Sequence, residues 1–248
     1  MASGGGVQSV ERAFALLEAL GRRGGEAGIS AIAEDLDIAL PTIHRLLRTM
    51  VNLGYVRQLP SRRYALGPGL IRLGNHAETL LATWSRPALE ALVESAKETA
   101  NLAVLDGDMV TYVAQVPSPH HMRMFTEVGR RVLPHAAGVG KAVLSQLEDQ
   151  QVLDIVRRTG MPRYTETTIT SEEELLADLA KIRERGYAID EGEQEMGVRC
   201  FAVPIPGAPT PMAVSASGPS SRVAADAIEW MLPALRQAVE ELRESLTA

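Results

Sequence analysis

The chain has 248 residues, 46% of them hydrophobic and 23% charged, and a formal net charge of −6 at neutral pH. That balance belongs to a globular chain of one or two domains; it excludes wholesale disorder, and no run approaches the roughly 18 apolar residues of a membrane span. A single cysteine excludes an intrachain disulfide and a cysteine-cage zinc site, and 4% aromatics argue against stacking platforms for single-stranded nucleic acid. The opening Met1-Ala2-Ser3-Gly4-Gly5-Gly6 has no basic-then-apolar pattern, so the expectation is a cytoplasmic protein without a signal peptide.

Charge is split along the chain. Residues 1–75 hold nine Arg against six acids, net +3, whereas residues 76–248 are net −9. Between 38 and 77 stand Arg45, Arg48, Arg57, Arg62, Arg63 and Arg72 with no Asp or Glu. A one-signed window points to a polyanion partner, or to a surface that pairs with the acidic remainder.

The elements follow in chain order. Val7, Val10, Phe14, Leu17 and Leu20 recur at helical spacing, predicting a helix over 9–22 that Gly24-Gly25 breaks. Ser30 is a candidate N-cap for a short helix at 31–36. After a turn at 37–40, Pro41 suits the start of a helix over 41–53. Stepped around the axis, Ile43, Leu46, Leu47, Met50, Val51 and Leu53 fill one half of that helix. Thr42, His44, Arg45, Arg48, Thr49 and Asn52 fill the other, with no acid among them. Those side chains suit phosphates and base edges. Gly54 ends the helix, and strands at 55–59 and 63–66 flank a turn at Pro60-Ser61-Arg62. Helix, helix–turn–helix and basic hairpin read as a winged helix–turn–helix. In that reading Thr42 and His44 lie near base edges, Arg45 and Arg48 contact DNA, and Arg57, Arg62 and Arg63 grip phosphates.

Helical spacing continues over 68–84, and a further helix is expected over 87–98. Strands are expected at 102–105, 109–116, 122–127, 187–190, 198–204 and 212–217, with helices at 141–147, 148–158, 171–185 and 223–246. This is an α+β pattern, an antiparallel sheet covered on its faces.

Enzymatic readings of the second half are weak. The stretch His135–Ala142 lacks the first Gly of a phosphate loop and has Ala142 where Ser or Thr is needed. Cys200 has no local signature pairing it with His120, His121 or His135 as a base, and no spacing recommends a metal site. The expectation is no catalytic residue, no metal and no cofactor. A pocket is better supported. Gly138-Val139-Gly140 precedes a helix, whose free N–H groups suit a small carboxylate. Ser215 and Ser217 share one face of a strand, Cys200 lies on another with Val198 and Ala202, and Asp190 ends a third.

The strings Val7-Gln8-Ser9-Val10-Glu11-Arg12-Ala13, Ile29-Ser30-Ala31-Ile32-Ala33, Thr42-Ile43-His44-Arg45-Leu46-Leu47, Leu53-Gly54-Tyr55-Val56 and Tyr64-Ala65-Leu66-Gly67 resemble the IclR family of bacterial transcriptional regulators. The run from Asp190 through Cys200 to Ile205 continues the likeness. The resemblance implies a DNA-binding domain over 1–67, a linker helix over 68–86 and a GAF-like α/β effector-binding domain over 87–248. It implies dimerisation through the DNA-binding domains, as a homodimer or dimer of dimers, and a double-stranded operator as partner. In members that sense 2-oxo acids such as glyoxylate or pyruvate, the contacting positions fall on Gly138, Val139, Asp190, Cys200, Ser215 and Ser217, with Met122 or Met124 in an apolar wall. Gly192 and Val139 depart from the usual pattern, and aromatic-acid sensors exist in the family, so the acid stays open. The expected function is a sequence-specific regulator tuned by a small carboxylate metabolite, not an enzyme. The alternatives are a metabolite-binding enzyme with an accessory basic domain and a nonspecific DNA-associated structural protein.

Overall fold

The computed structural model describes residues 6–124 and 126–247. The chain forms two compact units, Met1–Ala77 and Glu78–Ala248.

In the first unit, helices α1 (Gln8–Arg22), α2 (Ile29–Leu36) and α3 (Leu40–Asn52) precede the hairpin β2 (Val56–Gln58) and β3 (Tyr64–Leu66). Their core is Leu16, Leu20, Ile32, Ile43, Leu47 and Met50, joined by Val56 and Tyr64. Burying each of the large aliphatic side chains stabilises the unit by about 1.5–3 kcal/mol relative to exposure. Gly54 closes α3 at φ +79°, and the Tyr55 N–H reaches back to the Met50 carbonyl at 3.0 Å.

Several local expectations are corrected. Helix α2 starts at Ile29, so Ser30 sits inside its first turn and caps nothing. Leu53 is 61% exposed, because the core ends a turn earlier at Met50. Along α1 the buried residues are Leu16, Ala19 and Leu20, whereas Val7, Val10 and Phe14 face outward. A two-residue strand that spacing could not show, β1 (Glu26–Ala27), pairs with Ala65 and Tyr64, so the sheet order is β1-β3-β2.

The helices expected on either side of Pro87 are one helix, α4 (Gly69–Ala96). Pro87 lacks an N–H for the preceding turn. There Thr83 and Ser85 hydroxyls donate to the Thr79 and Leu81 carbonyls at 2.8 and 2.7 Å, and Leu89, Leu92 and Val93 pack the following turns into the core.

The second unit is built on a six-stranded antiparallel sheet. Its strands are β4 (Thr99–Asp106), β5 (Met109–Val116), β6 (Arg131–Val132), β7 (Ala188–Glu191), β8 (Val198–Ile205) and β9 (Met212–Pro219), in the order β6-β5-β4-β9-β8-β7. Period-two alternation sends Phe201 and Val203 to one face, against Leu89 of α4 and Leu235 of α8 (Ile228–Thr247). Ala202, Ala213 and Ala188 face the other way, against α5 (Gly138–Leu144), α6 (Asp149–Thr159) and α7 (Glu172–Arg185). The α+β class is as the sequence predicts. The described residues of 122–127 form no strand, and Phe125 lies outside them. Gly138–Gly140 form the first turn of α5 rather than a loop before it. Among the described residues, no helix is long and apolar enough to cross a membrane.

Candidate functional site

Two sites emerge, one in each unit. In the first, burial of Ile43, Leu47 and Met50 turns the opposite side of α3 outward. His44, Arg45 and Arg48 are exposed there and Thr42 is partly exposed. Thr49 is occupied, its hydroxyl donating to the Arg45 carbonyl at 3.0 Å. In the hairpin, Arg57 and Arg62 are exposed, and Arg62 occupies the left-handed turn position at φ 64°. None of these five basic side chains has an ion-pair partner among the described residues. Arg63 differs, because it is paired with Glu26 through a 3.3 Å ion pair.

In the second unit the antiparallel register does what sequence spacing cannot. Asp190 pairs with Cys200, Cys200 with Ser217, and Ser217 with Thr99. Ala202, Ser215 and Asn101 form the adjacent row. Opposed residues point to one side of a sheet, so these groups face α5 together. Of them, Asp190, Cys200, Ser215 and Ser217 wall a cavity with Tyr112, Met124, Thr126, Arg130, Gly138, Gln194, Glu195 and Val198. The cavity has a volume of about 40 Å³, room for a few waters.

Five sequence-singled residues, Gly138, Asp190, Cys200, Ser215 and Ser217, meet in this cavity. Two do not. Val139 is fully buried in the core beneath the sheet. Met122 is 72% exposed, its carbonyl accepting from Arg222 at 2.9 Å, and Met124 lines the wall instead. Without a strand at 122–127, alternation gave no guide to which methionine points inward.

The cavity is chemically muted. Burial, with the neighbouring Asp190 adding to it, pushes the Cys200 thiol up to about 12. Burial also raises Asp190, although the N–H groups of Glu193, Gly138 and Gly192 donate to its carboxylate; the Glu193 bond is 2.7 Å. Asn101 donates to the Ser217 hydroxyl at 3.4 Å, while Ser215 Oγ is buried without a hydrogen-bond partner. No histidine lines the cavity: His135 Nε2 lies 3.1 Å from the Pro162 carbonyl, and His120 and His121 are exposed. Among the described residues no group of His, Cys, Asp and Glu could hold a metal ion.

Sequence reasoning missed Tyr112, Arg130, Gln194 and the buried Lys141 behind the wall. Lys141, flanked by Gly140 and Ala142 in an apolar helix, offered the one available signal, a charge in an otherwise uncharged stretch.

Residues 9–60 match the IclR helix-turn-helix domain, and residues 77–244 match the family described as Bacterial transcriptional regulator IclR C-terminal. The chain is 37% identical over 236 residues to Transcriptional repressor IclR of Escherichia coli, covering 90% of this chain and 84% of that one. It is 36% identical over 250 residues to the Acetate operon repressor of Salmonella typhimurium, covering 96% and 89%. The crystal structure of an IclR transcriptional regulator from Alicyclobacillus acidocaldarius aligns with a TM-score of 0.79 at 29% identity, over 97% of this chain and 99% of that one. With a helix–turn–helix domain ahead of this sheet domain, and matches that span nearly its whole length, the chain belongs to the IclR family of DNA-binding transcriptional regulators.

Proposed function

We propose that this regulator sets α3 into the major groove of an operator, and that a small carboxylate held in the second unit's cavity tunes its operator affinity. The observation that carries the reading is the outer face of α3, exposed, acid-free and free of ion pairs. Arg45 and Arg48 make the main DNA contacts, Thr42 and His44 lie near base edges, and Arg57 and Arg62 grip flanking phosphates. Arg63 takes a smaller share, since Glu26 already engages it.

The cavity supports a carboxylate as effector. The Ser215 and Ser217 hydroxyls offer hydrogen bonds without a charge to desolvate, and the unpartnered Ser215 Oγ gains one when a ligand oxygen arrives. Burial raises Asp190, whose carboxyl stands in the same wall as the two hydroxyls. Arg130 supplies the positive charge an acid needs. A thiol near 12 without a histidine base speaks against a cysteine nucleophile.

The functional unit is a dimer or dimer of dimers. Support comes from Val7 at the cap of α1 and from Val10 and Phe14 within it, 63%, 51% and 64% exposed, the latter two lining one groove with Leu53, an apolar surface suited to a second copy. The working division is a DNA-binding domain over 1–67, a linker over 68–86 and an effector domain over 87–248. An effector bound unequally by two dimer arrangements shifts their populations and with them DNA affinity.

The test is binding to DNA from upstream of the protein's own gene. The double substitution Arg45→Ala, Arg48→Ala should abolish sequence-specific binding and leave binding of pyruvate or glyoxylate intact. Equal wild-type affinity for a scrambled duplex would overturn the reading.

A further inference from the structure

One wall of the cavity is an irregular strap, residues 192–197, running from β7 to β8. It carries Gln194 and Glu195 into the lining, between Asp190 at the end of β7 and Val198 at the start of β8. Its anchors lie behind it. Lys141 Nζ is 2.5 Å from Glu193 Oε1 and 2.9 Å from Asp178 Oδ2, with the lysine side chain 2% exposed. Thr168 donates to the Glu193 carbonyl at 2.6 Å, and Thr165 to the Gly192 carbonyl at 2.7 Å. The Glu193 N–H donates to Asp190 at 2.7 Å, and Asp190 packs closely on Gly138, the first residue of the helix that bears Lys141. Asp190, Gly138, Lys141 and Glu193 thus close a ring.

Such a pair is a poor way to gain stability. Both charges lose their water, and well-packed apolar residues of similar volume often do as well or better. Glu193 Oε2 is even buried without a hydrogen-bond partner. What an ion pair supplies that an apolar contact does not is one defined position. The strap needs one, since it lacks regular structure and holds Gly192 and Gly197 at positive φ.

We infer that Lys141 and Glu193 are positioning residues of the effector site, whose ion pair holds the strap closed over the cavity and so sets how readily a ligand enters. The inference builds on the cavity being the effector site, but its test does not require an effector.

Cys200 is the only cysteine in the chain and lies in the cavity wall, so its alkylation by iodoacetamide in the full-length native protein reports strap opening. Lys141→Met and Glu193→Gln should each raise the labelling rate about tenfold or more, with little dependence on urea, as local opening gives. Their direct effects on the thiol are opposite, because Lys141 favours the thiolate and Glu193 opposes it. Rates that move in opposite directions, stay unchanged, or rise only with the steep urea dependence of global unfolding would overturn the inference. Where Lys141→Met does not fold, Glu193→Gln is compared with Glu195→Gln, the same charge change on the same strap without an anchoring contact. Equal rates overturn the inference, and a clear excess for Glu193→Gln upholds it. Calorimetry of the wild type with pyruvate and glyoxylate is read separately. Absent binding would remove those acids as effectors and leave the labelling result standing.

Discussion

Arg63 is tied back to Glu26: its Nη2 donates to the Glu26 carbonyl at 3.2 Å, and its Nε lies 3.3 Å from the Glu26 carboxylate. The contact joins the hairpin to the short strand β1. It also draws one of the hairpin's three cations toward a protein acid. Arg57 and Arg62 have no such tether. Each phosphate contact contributes about −0.9 to the slope of log affinity against log salt for duplex DNA. Arg62→Ala should therefore flatten the slope by about 0.9, and Arg63→Ala by clearly less. Anisotropy titrations across a salt series separate the two; equal changes would return Arg63 to the phosphate contacts.

A methyl group at position 138 tests the cavity. A Cβ there would lie 3.0 Å from Cys200 Sγ and 3.3 Å from Asp190 Cβ, tighter than ordinary packing. Gly138→Ala should fold, lose about 1–3 kcal/mol in urea denaturation, and bind a carboxylate effector at least about tenfold more weakly. Effector-free operator affinity should not change, because nothing on α3 is touched. A variant that binds the acid as tightly as the wild type would place the ligand elsewhere.

Ser215→Ala separates a structural hydroxyl from a ligand-binding one. With only the Cys200 thiol beside it and no other partner in the folded chain, Ser215 Oγ is a buried group whose loss should be neutral or stabilising by up to about 1 kcal/mol. Effector affinity should fall by about tenfold, the worth of one hydrogen bond to a charged group. Thermal denaturation and calorimetry on the same sample decide. A destabilised variant with unchanged affinity would make the hydroxyl structural.

The buried carboxyls set the pH dependence of stability. Burial lifts Glu193 to about 7, against the pull of Lys141, and lifts Asp190 in the same direction. Unfolded, both titrate near pH 4. Between those values the folded state keeps protons that the unfolded chain has lost. The unfolding free energy should therefore fall as pH rises from about 4 toward 7, then level off. Glu193→Gln should flatten that fall. Urea titrations of both proteins at a series of pH values measure the difference, and parallel curves would mean that Glu193 keeps its charge throughout.

Arg222 and Glu98 make a bidentate pair at 2.5 and 2.8 Å, with Glu98 nearly buried and Arg222 also holding the Met122 carbonyl at 2.9 Å. Arg222→Ala strands a buried carboxylate and should cost about 3 kcal/mol. Replacing both residues with apolar ones should recover much of that loss, which denaturation of the single and double variants will measure.

Sequence alone determined what depends on neighbours along the chain. The apolar half of α3, its glycine stop, the basic hairpin and the alternation of β8 and β9 are local patterns, and local sterics with period 3.6 or 2 decide them. The acid-free outer face of α3 was legible for that reason. The sheet order and register were not, because pairing between Asp190, Cys200, Ser217 and Thr99 joins residues up to 118 positions apart. Nor could spacing tell that Pro87 lies within one helix, that Met124 rather than Met122 faces the cavity, or that Lys141 is buried between two acids. Each of those was decided by tertiary packing, which fixes the facing surface and the available partner only once distant segments share one core.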